Sequence, residues 1–229
     1  MQAVILAAGR GTRMKGLTRN IPKPMLKIGG KPILEHKINS LPKKINEIIL
    51  IVGYRGEQIM SYFKRHFNGR RIIYVYQHNF NGTGGALHLA KSVLRNRFLV
   101  IMGDDLYHKK DLEELTRHDM AIMGYEVADP SLFGVIKTTS KGNMIEVIEN
   151  PKGNKYKLAN TGAYTLSRKF FEYDLIPKKP GDSEFGLPQT MARMAANHEI
   201  KVIKARAWQP IGNPEQLEKA QETLISFLR

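Results

Sequence analysis

The feature that most constrains the fold is an alternation of short apolar runs with amphipathic segments over the first hundred residues. Gln2–Ala8 (QAVILAA) is a nearly continuous apolar run that ends at a glycine, as expected of a strand covered on both faces. Alternating strands and helices predict a mainly parallel sheet with helices on both faces. The predicted strands here are Gln2–Ala8, Glu47–Val52, Arg71–Tyr76 and Phe98–Met102, and the predicted helices are Ile33–Leu41, Glu57–Phe67 and Gly84–Leu94.

The second half has a different pattern, in which short strand candidates are joined by turn-rich segments. The predicted strands are Ala121–Val127, Phe133–Thr138, Met144–Glu149, Ala159–Leu166 and Ile200–Ala205, and the predicted helices are Glu184–Ala196 and one opened by the Asn213 cap and Pro214. We therefore predict one α/β domain over residues 1–229. It is a doubly wound, mainly parallel, Rossmann-like sheet with helices on both faces, and a smaller antiparallel portion covers the active-site cleft.

Composition narrows the class of protein. The chain has 229 residues, 42% of them hydrophobic, and no cysteine, which excludes disulfides, thiolate zinc sites and cysteine nucleophiles and fits a cytoplasmic location. No run approaches the roughly 18–20 apolar residues of a membrane-spanning helix. The formal net charge of +15 favours anionic partners. Because the basic residues are scattered, without a basic helix or tail, we expect neither nucleic acid nor membrane as the partner.

One loop departs from that scatter. The stretch from Gly9 to Pro24 carries five cationic side chains and no acidic one. So many like charges repel one another unless an anion docks among them, and glycine lets backbone N–H groups approach phosphates. A dinucleotide-binding loop would need glycine where Met14 stands, and the Gly-Lys-Ser/Thr of a Walker loop is absent. The loop therefore predicts a triphosphate site of another kind.

This loop resembles the signature of the sugar-1-phosphate nucleotidyltransferases, a family that includes glucose-1-phosphate thymidylyl- and uridylyltransferases and mannose-1-phosphate guanylyltransferases. The segment LAAGRGTR, from Leu6 to Arg13, matches the family's L-A-x-G-x-G-T-R, and Pro22-Lys23-Pro24 matches the turn that follows. The resemblance implies that Arg13 and Lys23 bind the triphosphate and stabilise charge on the attacked α-phosphorus. It also implies nucleotide binding by Leu6, Ala7, Ala8, Gly9, Gly11 and Thr12.

Two further motifs extend the nucleotide site. A side-chain amide at Gln77 can pair with a base edge, and the glycine run that begins at Gly82-Thr83 permits close approach of the base or ribose; the resemblance implies both contacts. Asp104 follows a predicted strand at the carboxyl edge, where α/β sheets bind ligands. The resemblance places the Mg²⁺-binding aspartate here, and Asp105 is interpreted as a turn or cap residue.

Three later segments resemble the family's sugar-phosphate side. They are Phe133-Gly134-Val135, Glu149-Asn150-Pro151 and Asn160-Thr161-Gly162-Ala163-Tyr164. The resemblance implies that Gly134, Glu149, Asn160 and Thr161 line the sugar phosphate. It spans about residues 1 to 220 and includes no C-terminal β-helix extension.

Two positions depart from the family pattern. Asn150 replaces a lysine that binds the sugar phosphate, so another cation is required, with Lys152 as a candidate. Pro210 replaces an aspartate that many members use as a second metal ligand.

The sequence therefore predicts an Mg²⁺-dependent enzyme that joins a nucleoside triphosphate to a sugar 1-phosphate and releases pyrophosphate. A phosphoalcohol acceptor such as phosphocholine, and a non-catalytic nucleotide-binding regulator, remain as alternatives. Base, sugar and homo-oligomeric state stay open.

Overall fold

The computed structural model describes residues 1–153 and 155–228. Within them ten strands form one central sheet, and four more form two separate two-stranded sheets. The predicted domain range extends to Arg229, which lies outside the described residues together with Asn154. The strands are β1 (Gln2–Leu6), β2 (Lys27–Ile28), β3 (Lys31–Pro32), β4 (Glu47–Val52), β5 (His66–Phe67), β6 (Arg70–Tyr76), β7 (Arg97–Met102), β8 (Leu106–Tyr107), β9 (Ala121–Glu126), β10 (Val135–Thr138), β11 (Met144–Ile148), β12 (Leu158–Ser167), β13 (Lys201–Lys204) and β14 (Trp208–Gln209).

The helices flank this sheet. They are α1 (Ile33–Ser40), α2 (Gly56–Phe63), α3 (Gly82–Leu89), α4 (Lys109–Leu115), α5 (Leu187–Ala195) and α6 (Pro214–Leu228), with short 3₁₀ segments at Thr12–Thr18, Lys23–Met25, Pro130–Leu132 and Arg168–Glu172. Within the part of the chain that the structure covers, none of the helices is long and apolar enough to cross a membrane.

The strand order is β11-β10-β12-β7-β1-β4-β6-β5, and β9 pairs with β12 and β13. Strands β7, β1, β4 and β6 are parallel, whereas β12 runs antiparallel to β7 and to β9. The mainly parallel centre with a more antiparallel second half confirms the predicted fold class.

The sheet is covered on both faces, which explains the continuous apolar run of β1. Ala3 and Ile5 belong to a buried cluster with side chains of α1, α2 and α4. Val4 and Ala8 belong to a second cluster with side chains of α3 and α5. Successive side chains of a strand point to opposite faces, so each face receives every second residue of the run.

Three helix boundaries differ from the sequence prediction by three residues or more. The predicted helix Gly84–Leu94 ends at Leu89. The predicted helix Glu57–Phe67 ends at Phe63, because Lys64 has a positive φ (52°) that leaves the helical path and the chain returns as β5 against β6. The predicted helix Glu184–Ala196 begins only at Leu187. The residues before it form a hairpin, in which Pro177 and Phe185 are paired by an isolated antiparallel β-bridge.

The last helix, α6, completes a third buried cluster beside the basic loop, the cationic stretch from Gly9 to Pro24. Side chains of α6 pack with Met14 of the loop and with Ile211 of the segment before the helix. The predicted cap is confirmed: Asn213 Oδ1 accepts from the Gln216 N–H at 2.8 Å, and Gln216 Oε1 accepts from the Gly212 N–H at 2.6 Å. The start of α6 is thereby fixed next to the basic loop.

Candidate active site

A cavity of about 340 Å³, here called the strand-end cavity, opens where β1 and β7 end. This is the carboxyl edge of the parallel strands, where open α/β sheets bind ligands. Every residue predicted to bind nucleotide or metal lines it, as do both predicted catalytic cations: Leu6, Ala7, Ala8, Gly9, Gly11, Thr12, Arg13, Lys23, Gln77, Gly82, Thr83 and Asp104. Motifs that are far apart in the sequence therefore converge on one space, and the individual roles assigned to these residues stay predictions.

The glycines of the loop serve two different purposes. At Gly9 an added Cβ would meet nothing within 4 Å, so the space above this backbone is open to a ligand. At Gly11 the backbone is left-handed (φ +64°), and an added Cβ would lie 3.0 Å from Cβ of Lys23. Gly11 thus lets the loop turn tightly against the segment that carries Lys23.

Lys23 and Asp104 form an ion pair in the wall of the cavity. Lys23 Nζ lies 2.5 Å from Asp104 Oδ2, and the two side chains are 7% and 34% exposed. An ammonium group this enclosed needs a compensating charge. Asp104 supplies it here, and an incoming phosphate could supply it in turn.

Asp105 has a structural position, but its carboxylate makes tertiary hydrogen bonds instead of the local ones expected of a turn or cap residue. Its carboxylate accepts from Trp208 Nε1 at 3.1 Å and from the Ile211 N–H at 3.2 Å. Burial raises the pKa of Asp105 to about 6, and the neighbouring charge of Asp104 adds to the effect. Asp105 therefore ties the segment before α6 to the strand-end cavity.

Lys37 is a buried cation that the sequence analysis missed. It is 1% exposed, its ammonium donates to the backbone carbonyl of Asp105, and it lies 4.5 Å from the centre of the Tyr107 ring. Burial lowers the pKa of Lys37 to about 8. A lysine in an amphipathic helix is normally exposed, so no signal in the sequence marks this position.

A second cavity, of about 470 Å³, shares Arg13, Lys23 and Asp104 with the strand-end cavity. We call it the bulge cavity, after the irregular part of β12 that forms its wall. Every residue predicted for the sugar-phosphate side lines it: Gly134, Glu149, Asn160 and Thr161. The two sets of predicted residues thus adjoin each other across the same aspartate and the same two cations.

The bulge is held by side-chain hydrogen bonds. The pairing of β12 with β9 shifts register between Asn160 and Tyr164. Asn160 Nδ2 donates to Tyr164 Oη at 2.9 Å, and Asn160 Oδ1 accepts from the Gly162 N–H at 3.0 Å. Thr161 Oγ1 donates to the Met123 carbonyl at 3.0 Å. Asn160 and Thr161 therefore stabilise the bulge, in addition to any contact that they make with a ligand.

A third cavity, the hairpin cavity, lies between Glu149-Asn150 and the hairpin of residues 176–186. Lys178 lines both this cavity and the strand-end cavity. Lys152, the candidate replacement for the lysine lost at Asn150, is exposed and is absent from the described lining of all three cavities. The position of Lys178 had no sequence signal, because it depends on how the hairpin folds back.

The residues present fit a metal ion that arrives with its own phosphate ligands. Among residues 1–153 and 155–228, no group of three or more His, Cys, Asp or Glu could hold a metal. Asp104 is a single carboxylate in the strand-end cavity, and Pro210 lines the adjoining bulge cavity without offering an oxygen from its side chain. Mg²⁺ is commonly held by one or two carboxylates plus substrate phosphates and water.

Comparison with known proteins agrees with this geometry. The sequence profile described as nucleotidyl transferase matches residues 2–226. The chain therefore belongs to the nucleotidyl transferase family.

Two relatives show how far the similarity extends. The bifunctional protein GlmU of Methanocaldococcus jannaschii is 37% identical over 226 residues, which are 98% of this chain and 54% of that protein. The UTP–glucose-1-phosphate uridylyltransferase AglF of Haloferax volcanii is 30% identical over 234 residues, covering 98% of this chain and 96% of AglF. The chain thus spans about half the length of GlmU and nearly all of AglF.

Solved structures extend the comparison to the fold. A Bacillus anthracis structure in complex with sucrose, described as a glucose-1-phosphate thymidylyltransferase, superposes with a TM-score of 0.83 at 25% identity, covering 97% of this chain and 94% of the other. HddC from Yersinia pseudotuberculosis complexed with GMP-PN gives a TM-score of 0.72 at 28% identity, covering 97% and 99%. The same arrangement of strands and helices therefore occurs in both of these solved structures.

Proposed function

We propose that this protein transfers a nucleotidyl group from a nucleoside triphosphate to a sugar 1-phosphate, giving an NDP-sugar and pyrophosphate. The observation that carries the proposal is the junction of the strand-end and bulge cavities at Arg13, Lys23 and Asp104. Two anionic substrates placed in these cavities would meet at this point. The names of AglF and of the Bacillus anthracis structure support a sugar 1-phosphate as the acceptor.

In this reaction a phosphate oxygen of the acceptor attacks the α-phosphorus of the triphosphate. The bond from the α-phosphorus to the bridging oxygen breaks, and pyrophosphate leaves with the electron pair. The reaction needs no covalent enzyme intermediate, so the protein's contribution would be alignment and charge stabilisation. Arg13 and Lys23 would stabilise the charge that develops around the α-phosphorus.

Asp104 would hold Mg²⁺ together with oxygens of the triphosphate. The ion supplies positive charge that neutralises the phosphate oxygens. Lys23 is paired with Asp104 at 2.5 Å in the structure. When Asp104 binds the ion, Lys23 would exchange this carboxylate partner for a phosphate. We place the reaction in the cytoplasm, where nucleoside triphosphates and sugar phosphates are made.

The base would lie between Gln77 and the start of α3. Gln77 is 5% exposed, lines the strand-end cavity, and its Nε2 donates to Asn81 Oδ1 at 3.1 Å. That bond fixes the amide and leaves its carbonyl oxygen as an acceptor for an N–H on a base edge. Each of the five bases offers an N–H on an edge, on the ring or on an amino group, so this acceptor would orient a base without choosing among them.

The test is a matrix of five nucleoside triphosphates against glucose 1-phosphate, mannose 1-phosphate and phosphocholine, with pyrophosphate release as the readout. Turnover with a sugar 1-phosphate supports the proposal. Turnover with phosphocholine alone would identify a phosphoalcohol enzyme on the same fold. Nucleotide binding without pyrophosphate release from any pair would instead identify a regulatory homologue.

A further inference from the structure

The hairpin of residues 176–186 is attached to the start of α3. Within the hairpin, the Lys178 N–H donates to the Glu184 carbonyl at 2.8 Å. Between the two segments, the Phe185 N–H donates to the Asn81 carbonyl at 2.8 Å and the Gly84 N–H donates to the Phe185 carbonyl at 2.9 Å. These bonds fix the hairpin against the wall of the strand-end cavity, so its side chains have a defined place in the site.

Lys178 occupies the boundary between two cavities. It lines the strand-end cavity and the hairpin cavity, whereas its neighbour Lys179 lines the hairpin cavity alone. An added Cβ at Gly186 would lie 3.3 Å from Lys178 Cγ, which shows that the stem of the lysine packs closely against this backbone. Its ammonium group pairs with Glu184.

Lys178 is not among the described lining of the bulge cavity, where the sugar would lie, but the acceptor's phosphate has to reach the triphosphate in the strand-end cavity, which Lys178 does line. Glu149 borders both the bulge cavity and the hairpin cavity, and Asp182 and Glu184 also line the hairpin cavity. A phosphate dianion entering beside these carboxylates would be repelled unless a positive charge faces it. Arg13 and Lys23 line both the bulge cavity and the strand-end cavity, and the triphosphate would occupy them.

From this arrangement we infer that Lys178 binds the phosphate of the acceptor, and that Glu184 holds its ammonium group until the acceptor arrives. The assignment rests on the proposed function and adds to it the residue that recognises the second substrate. Binding of the acceptor exchanges one anionic partner of Lys178 for another. Glu184 therefore competes with the acceptor, and removing its charge should favour binding.

The test measures KM for the sugar 1-phosphate that wild-type protein uses faster, glucose 1-phosphate or mannose 1-phosphate. Loss of a charged hydrogen bond should raise this KM about tenfold or more in Lys178→Ala, with KM for the nucleoside triphosphate nearly unchanged. Lys178→Arg should retain most of the affinity. Glu184→Gln should lower the same KM. Lys141→Ala removes an exposed lysine from a turn and controls for net charge.

The opposite changes in KM expected for Lys178→Ala and Glu184→Gln distinguish a role in substrate binding from a purely structural role. If the Lys178–Glu184 pair only held the hairpin together, both Lys178→Ala and Glu184→Gln would weaken both substrates, and that result would overturn the inference. The inference would also be overturned if Lys178→Ala had the wild-type KM for the sugar 1-phosphate, or if Lys152→Ala raised this KM instead. Failure of the wild-type protein itself to release pyrophosphate with any sugar 1-phosphate would reject the proposed function, which is a distinct result.

Discussion

Lys23 Nζ and Asp104 Oδ2 lie 2.5 Å apart, so a predicted catalytic cation and the predicted metal ligand neutralise each other in the structure. The two belong to segments that are 81 residues apart in the chain. Because each would acquire a new partner with the triphosphate, neither charge is left unpaired before or after binding. The pair therefore links triphosphate binding to assembly of the site.

Removal of either cation should slow the reaction. We expect Arg13→Ala and Lys23→Ala each to lower kcat/KM by about 10²-fold or more, since a lost transition-state charge contact typically costs roughly 3 kcal/mol. Steady-state pyrophosphate release measures the effect, and thermal unfolding checks that the variants fold. Near-normal turnover in either folded variant would contradict the assignment of that residue.

The two adjacent aspartates should respond differently to the same change. Asp104→Asn should remove most Mg²⁺-dependent activity and leave the fold intact, although the enclosed ammonium group of Lys23 then loses its compensating charge. Asp105→Asn should lower the free energy of unfolding by about 1–3 kcal/mol, since an amide replaces one of the two accepting oxygens with a donor. Activity titrated against Mg²⁺ and unfolding in urea separate the effects. The reverse pattern would show that the metal assignment is off by one residue.

Pro210 offers a way to test the single-carboxylate metal site. We expect Pro210→Asp to lower the Mg²⁺ concentration needed for half-maximal activity, because it adds a carboxylate to a cavity that Asp104 also lines. Wild-type protein should be active and should bind Mg²⁺ weakly without nucleotide, as measured by calorimetry. An inactive wild type revived by this change would mean that loss of the aspartate had silenced the enzyme.

Gly82 should tolerate no side chain. Its φ is +88°, and an added Cβ would lie 2.4 Å from the Phe185 carbonyl oxygen, a backbone atom that cannot move alone. Gly30 is the matched control, since its φ is +81° and an added Cβ would meet nothing within 4 Å. We expect Gly82→Ala to cost about 2 kcal/mol or more and Gly30→Ala about 1 kcal/mol, as measured by urea unfolding. Equal losses of unfolding free energy in the two variants would show that the hairpin moves away from the added Cβ without an energetic cost.

The sequence predicted the parts of this protein that depend on local pattern. A strand buried on both faces has a continuous apolar run, so β1, β4 and β7 could be located from residue types alone. Strands that are parallel and adjacent end at the same edge, so the loop after β1 and Asp104 after β7 were expected to meet there.

Features set by tertiary packing could not be predicted in this way. Lys37 lies in an ordinary amphipathic helix, and its burial depends on the turn after β7 folding over it. Lys178 reaches the site because the chain doubles back as a hairpin before α5, where helical periodicity had placed the helix start. Neither residue stands in a motif, so only the three-dimensional arrangement reveals it.

The bulge in β12 has a consequence for engineering. Two hydrogen bonds join residues of the bulge, Asn160 to Tyr164 and Gly162 to Asn160, and three more tie it to Met123, Tyr107 and Gly134. Acceptor preference could therefore be transplanted between relatives as a cassette only together with the residues that hold it. Met102 would have to accompany it, because an added Cβ at Gly162 would lie 2.5 Å from Met102 Cγ. A donor cassette lacking that glycine would demand a smaller residue at the end of β7.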